Sequence, residues 1–393
     1  MKAVGIIAEF KPLHRGHAHL LQSVKSHFPD RAIVCVMSGN FVQRGEFAIQ
    51  EKYSRARSAL ECGADLVLEL PYPFSSLSAE GFAASGIHIL SSLPAVDTIA
   101  FGTEIDNTHA LKECAKNLSS FAFRTAFRKR SATDKTKGYP ALQYEVYREL
   151  FGEEEILLNP NASLAVQYLT CLSSYDRDYN IFPVLRHEGK DTCSASQIRA
   201  LLLDKASVES FVPSASFSQM EAERASGRFP VSMETLAPIL FYLLKTKDRK
   251  ELLRIYGLAP LTARAKNALK DAESIEDLVQ MTVSTSYTAS RVRRAFLSLL
   301  CDNPRGVEKE LPAYTLLLGS TPKGRDLLAE MRKTSRIPVF SKPSHALRSQ
   351  DMLVKAQAKR AFGADEIYAM AFPCRQREGF FLRTSPVSLP NLT

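Results

Sequence analysis

Two histidines three residues apart, His14 and His17, stand in the stretch His14-Arg15-Gly16-His17, directly after the apolar run VGIIAEF (4–10) and at the start of an amphipathic stretch. Their position suggests their chemistry. At the carboxyl end of a first parallel strand, where a helix begins, unpaired backbone N–H groups and the helix dipole converge on an anion lying in front of them. Gly16 lets the backbone approach a ligand closely. Two imidazoles facing one phosphate chain can donate hydrogen bonds to its oxygens and stabilise charge in an in-line displacement at the α-phosphate. A metal site is the competing use of two histidines. No cysteine, third histidine or paired carboxylate stands nearby at ligand spacing, because His19 falls on another helical face.

A second constellation is Ser194-Ala195-Ser196-Gln197-Ile198-Arg199, at the start of a later helix. Arg199 offers a planar, permanently charged fork for phosphate oxygens. Read alone, the serines would do no more than cap the helix. Glu69 ends an apolar strand, where a carboxylate requires a partner or a role. Arg55 and Arg57 are expected on the solvent or RNA side of their helix.

The elements that must position these groups alternate regularly. Strand-like runs at 4–10, 32–38, 65–71 and 96–102 are separated by helical stretches of about 10–15 residues, the pattern of βαβ units and a doubly wound α/β parallel sheet. AIVCV (32–36) is apolar throughout, as a strand covered on both faces should be. A basic excursion at about 120–157 leaves the sheet, and IFPVLRH (181–187) returns as a fifth strand. A Ser- and Pro-containing linker (210–218) then leads to long helical periodicity over 233–304. The expected division is residues 1–210 as the nucleotide domain and 220–393 as a smaller, mainly α-helical C-terminal region.

Composition sets the outer bounds. The 393 residues are 45% hydrophobic and 24% charged, enough for real cores. No apolar stretch approaches the ~20 residues of a membrane span. Seven scattered cysteines, none in CxxC spacing, argue against disulfide frameworks and zinc ribbons and for a reduced, cytoplasmic protein. Lys and Arg number 51 against 42 Asp and Glu, with a pI near 9.1, which suits a polyanionic partner. Three basic regions compete for that role: Arg124 to Lys137, Lys245 to Arg254, and Arg291, Arg293 and Arg294 after Tyr287, whose ring could stack on a base.

The strand ending in HxGH, together with SASQIR (194–199), resembles the signature of the HIGH-type nucleotidylyltransferase superfamily, in which the serine-rich turn and its arginine grip the departing phosphates. The resemblance narrows further. The block SGNFVQRGEFAIQEKYSRARSALECGADLVLELPYPFSSLSAEGFA (38–83), with AFGTE (100–104), PNASLAVQYL (160–169) and LRHEG (185–189), is similar to the bacterial tRNA(Met) cytidine acetate ligases. It covers essentially the whole first domain. SYTASRVRRAFLSLL (286–300) and LLLGSTPKGRDLL (316–328) match more loosely.

This resemblance implies activation of acetate with ATP as acetyl-adenylate. Acetyl transfer to the exocyclic amine of the wobble cytidine of elongator tRNA(Met) follows; a phosphate chain usually calls for Mg²⁺ as well, and no carboxylate cluster in the sequence identifies its ligands. It implies His14 and His17 as catalytic residues. The implied ATP site comprises Ile7, Ala8, Glu9, Phe10, Lys11, Pro12, Leu13, His14, Arg15, Gly16, His17, Ala18, His19 and Leu20, together with Gly102, Asn161, Arg186 and His187. Ser194, Ser196 and Arg199 would hold phosphates. Gln43 and Arg44 would close over the activated acid or the incoming base, unless they form only a solvated loop. Asn161 could equally be a helix cap. Tyr287, Arg291, Arg293 and Arg294 are the expected tRNA contacts. The alternative is an adenylyltransferase that builds a nucleotide cofactor from a phosphorylated metabolite, although such enzymes are usually shorter. The chain departs from the family's usual Asn-Pro-Phe-His-Asn-Gly-His at Lys11, Leu13 and Arg15, and the two added cations are expected to make the pocket more positive.

Overall fold

The computed structural model describes residues 1–134, 136–186 and 193–390. Among the described residues ten strands form: β1 (Ala3–Ala8), β2 (Ala32–Ser38), β3 (Phe41–Val42), β4 (Glu46–Phe47), β5 (Leu66–Leu70), β6 (Val96–Thr103), β7 (Asn180–Leu185), β8 (Thr315–Ser320), β9 (Val339–Phe340) and β10 (Val387–Ser388). Eight of them make one sheet in the order β10-β8-β5-β2-β1-β6-β7, with β9 paired to β8. The pairs β1/β2, β1/β6, β2/β5 and β6/β7 are parallel, as the alternating pattern requires. The central strands β1, β2 and β5 are buried along their whole lengths because helices cover both faces.

The helices that build the site are α1 (Arg15–His27), α2 (Lys52–Glu61), α3 (Ala79–Ser91), α4 (Thr108–Ser119), α5 (Phe121–Thr133), α6 (Tyr139–Phe151), α7 (Pro160–Leu172) and α8 (Ala195–Leu203). Two cores result, one on each face. Leu21 and Val24 of α1 pack with Ile6, Ile33 and Cys35 on one side. Phe82 and Ile87 of α3 pack with Ile7, Val34 and Val166 on the other. Each such side chain contributes about 1.5–3 kcal/mol by leaving water. The stretch 120–157, expected outside the sheet, forms α5 and α6, which pack on each other.

The C-terminal region is mainly helical, with α9 (Ser214–Ala225), α10 (Ala237–Thr246), α11 (Arg249–Leu253), α12 (Thr262–Ala268), α13 (Ile275–Thr282), α14 (Ala289–Leu300), α15 (Pro322–Met331), α16 (Pro343–Leu347) and α17 (Met352–Ala369). It also does something local periodicity does not reveal. β8 lies antiparallel against β5, with Leu66 opposite Ser320, so residues beyond 220 complete the sheet. Burial also explains Glu69. Its carboxylate receives Lys52 Nζ at 2.9 Å, and the same ammonium lies 2.6 Å from Asp365 of α17, all three groups being buried.

Among the described residues, no helix is long and apolar enough to cross a membrane. All seven cysteines are free thiols.

Candidate functional site

β1 ends at Ala8, and the loop 9–13 turns the chain into α1, whose N-cap is His14. The cap is built from the histidines themselves. His14 Nδ1 accepts from the Gly16 N–H at 3.1 Å, and His17 Nδ1 accepts from the His14 N–H at 3.3 Å. The rings stack with centroids 3.8 Å apart. A ring nitrogen that accepts a backbone N–H carries no proton, so each imidazole keeps its hydrogen on Nε2. Two stacked imidazolium ions would also repel. Burial first, then the nearby Arg186 charge, pulls His14 down to about 4. Burial, His14 and Arg186 likewise hold His17 well below its ordinary value, against a smaller opposing effect of the Pro12 carbonyl. At neutral pH both rings are uncharged donors.

The pair opens into a crevice of about 870 Å³ at the carboxyl ends of the parallel strands. Of the 7–20 stretch, Ile7, Ala8, Glu9, Phe10, His14, Arg15, Gly16, His17, His19 and Leu20 line it, while Lys11, Pro12, Leu13 and Ala18 do not. Leu13 is fully buried in the core instead. Gly102, Asn161, Arg186, Ser194, Gln43 and Arg44 also line the crevice, so strands β1 and β6, helices α7 and α8, and the segment after β2 converge there. His187 lies outside the described residues. A side chain at Gly102 would project toward Arg186 Cγ at an ordinary 3.8 Å, so the open backbone there leaves room beside the strand. Asn161 is not the cap of α7. That cap position is Asn159, and Asn161 donates to Glu104, whose other oxygen accepts the Ala162 N–H at 2.9 Å. Glu104 thereby satisfies the helix end and fixes the Asn161 amide at the crevice wall.

Lys11 does not add its charge to the crevice as expected. Its ammonium is buried against Glu46 of β4, and burial leads its fall to about 8 even with that partner. Arg199 and Ser196 are not among the residues that line the crevice. Arg199 donates to the Lys11 carbonyl at 3.1 Å and to Ser196 Oγ at 3.1 Å. Ser194 caps α8 through the Gln197 N–H, so the serine-rich turn is a helix cap and also reaches the crevice.

The two-stranded hairpin β3–β4, which reads in sequence only as a loop, joins the crevice to α14. Gln43 N–H donates to Glu9 Oε1 at 2.7 Å, and Arg294 donates to the Gln43 carbonyl at 3.1 Å. Gly45, with φ of +75°, presses so closely that a Cβ would stand 2.4 Å from Arg294 N. Arg294 is thus a tie between elements. Arg293 is bidentate to Glu276 at 2.7 and 2.8 Å. Arg291, exposed, lies over the Tyr287 ring at 4.8 Å, and these two remain the outward pair of the four. Arg55, expected at the surface, is fully buried, where it donates to the carbonyls of Glu9, Ser38 and Gly39 and braces the ends of β1 and β2.

Among the described residues no three His, Cys, Asp or Glu side chains cluster as metal ligands, and the lining carboxylates Glu9 and Glu104 are already bonded to the protein.

The HIGH Nucleotidyl Transferase family model matches residues 1–379. The tRNA(Met) cytidine acetate ligase of Caldanaerobacter subterraneus subsp. tengcongensis is 32% identical over 396 residues, spanning 95% of this chain and 96% of that protein. That of Thermosipho melanesiensis is 31% identical, spanning 88% and 85%. The chain belongs to the tRNA(Met) cytidine acetate ligase family. Its fold agrees with that of a ligase-family structure, Thermotoga maritima TmcAL bound with alpha-thio ATP, at a TM-score of 0.90 and 27% identity over 99% of this chain and all of that one. The apo crystal form of the same protein superposes equally well.

Proposed function

We propose that this member of the ligase family activates acetate with ATP and transfers the acetyl group to the exocyclic amine of the wobble cytidine of elongator tRNA(Met). The product is N4-acetylcytidine, released with AMP and pyrophosphate. The observation that carries the reading is the pair of neutral, stacked imidazoles that line a crevice large enough for ATP at the start of α1. Family membership along nearly the whole chain supports it.

An acetate oxygen attacks the α-phosphorus, the bond from that phosphorus to the bridging oxygen breaks, and pyrophosphate leaves. His14 and His17, as uncharged donors, stabilise the oxygens on which charge builds, His17 by exchanging its bond to the Pro12 carbonyl for one to phosphate. Arg186 adds positive charge at the same wall, and Ser194, Ser196 and Arg199 serve the departing phosphates. The cytidine amine then attacks the acetyl carbon, the carbon–oxygen bond to AMP breaks, and one amine proton passes to solvent water. Gln43 and Arg44, at the crevice edge, are positioned for the incoming base. Tyr287 and Arg291 meet the tRNA. A magnesium ion arriving with ATP would take its ligands from phosphate oxygens and water. The protein works in the cytoplasm.

The test is pyrophosphate release from ATP with acetate, with and without bulk tRNA, followed by nucleoside mass analysis of that tRNA. Acetate-dependent release with acetylcytidine is the expected result. Release with a phosphorylated metabolite and never with acetate would make the protein an adenylyltransferase of another kind.

A further inference from the structure

Glu46 stands among three cations and hydrogen-bonds to only one. Its Oε2 is paired with the Lys11 ammonium, and the same oxygen lies 3.9 Å from Arg199 Nη2. Its Oε1 lies 3.9 Å from Arg293 Nη1, a guanidinium already held by Glu276. At 3.9 Å attraction remains but no hydrogen bond forms. Arg199 therefore spends two N–H donors on the Lys11 carbonyl and Ser196 Oγ and none on a carboxylate. A free carboxylate at this distance would need only a small torsional change to form a fork-to-fork pair with the guanidinium, occupying the donors that suit a phosphate chain.

We propose that Lys11 is a positioning residue: by pinning the Glu46 carboxylate on its own ammonium, it keeps the Arg199 guanidinium open to the polyphosphate of ATP. The inference rests on the reading of Arg199 as a phosphate ligand made above. It gives Lys11 a task away from the crevice, in keeping with a side chain only 5% exposed. Glu9, Arg199 and Glu46 are the charged groups that act on the ammonium, and burial leaves it losing its proton as pH rises through about 8. Above that pH the pin is released.

ATP affinity, measured by titration calorimetry without acetate, tests this. The wild type should weaken above about pH 8. Lys11→Met should bind ATP roughly three- to tenfold more weakly at pH 7, the scale of one partly buried charge-assisted hydrogen bond that ATP must displace. The double variant Lys11→Met with Glu46→Gln should return to within about twofold of wild type, a rescue that lost packing would not give. Lys11→Arg should keep the affinity and carry it to higher pH. Lys11→Met binding as wild type, or a double variant no better than Lys11→Met, overturns the proposal while an Arg199→Ala defect leaves the phosphate reading standing. Arg199→Ala binding ATP as wild type overturns both.

Discussion

Lys52 Nζ and Asp365 Oδ2 lie 2.6 Å apart although 313 residues separate them in the chain. The same ammonium meets Glu69, and Asn40 Nδ2 donates to Asp365 at 2.8 Å while Asn40 Oδ1 accepts the Lys52 backbone N–H. Burial would lower Lys52, but Asp365 and Glu69 outweigh it and hold the ammonium firmly protonated. Replacing Lys52 by Met leaves two carboxylates facing each other in a dry site. The expected cost is about 3–5 kcal/mol of unfolding free energy, measured by urea denaturation. The triple change to Met, Gln and Asn at 52, 69 and 365 should recover most of that loss, because no charge is then stranded.

His14 makes the stability of the free protein depend on pH. Its value falls from an ordinary 6.5 to about 4 on folding, so between those limits the unfolded chain binds the extra proton. Stability is therefore full above pH 6.5 and declines as pH falls toward 4, by about 3 kcal/mol for this group at the end of the range. Denaturation at a series of pH values should show the decline, and His14→Gln should remove this group's share of it while leaving that of His17.

His17→Ala should slow acetate-dependent pyrophosphate release on the order of 100- to 1,000-fold, the scale of one lost oxyanion donor. Thermal stability should fall far less, because the cap loses one weak hydrogen bond. Turnover within a few-fold of wild type would remove His17 from the chemistry.

Gly45 takes a left-handed backbone and lies against the α14 backbone. Gly45→Val should lift the hairpin from α14 and cost about 1–3 kcal/mol. The loosened hairpin carries Gln43 and Arg44, so tRNA affinity should weaken even at temperatures where the protein is fully folded, as read by filter binding.

Arg291 is the exposed cation at Tyr287, and its loss should show in the salt dependence of tRNA binding. Arg291→Ala should reduce the slope of log affinity against log salt by about 0.7–0.9, one phosphate contact. Arg294→Ala should instead behave as a stability variant, since its guanidinium is spent on the Gln43 carbonyl.

The strands at 32–38, 65–71 and 96–102 were legible because a doubly covered strand must be apolar on both faces, and the observed β2, β5 and β6 fall within a residue or so of those limits. His14 and His17 were legible because a helix start after the first strand is a local pattern. The long-range facts were not. Nothing near Thr315 announces that its strand pairs with β5, and nothing near Arg55 distinguishes a buried brace from a surface cation, because its partners are backbone carbonyls of Glu9, Ser38 and Gly39. Lys11 misled for the same reason. Its type suggested a charge for the crevice, while its neutralising partner Glu46 stands 35 residues away on a hairpin too short to be read. Glu69 at least advertised a need, since an apolar strand does not end on an unpaired carboxylate.

The antiparallel pairing of β5 with β8 bears on how the chain is made. Leu68 finds its neighbour Leu317 only after roughly 250 further residues have been synthesised, which at ribosomal speed is about 12–50 s. Through that interval one edge of the growing sheet is an apolar strand with unpaired backbone groups, the kind of surface that recruits other chains. A nascent chain released early, before residue 320, would carry that edge permanently. Truncated products of this protein should therefore clump or be held by chaperones during translation, even though the residues around the histidines are all present.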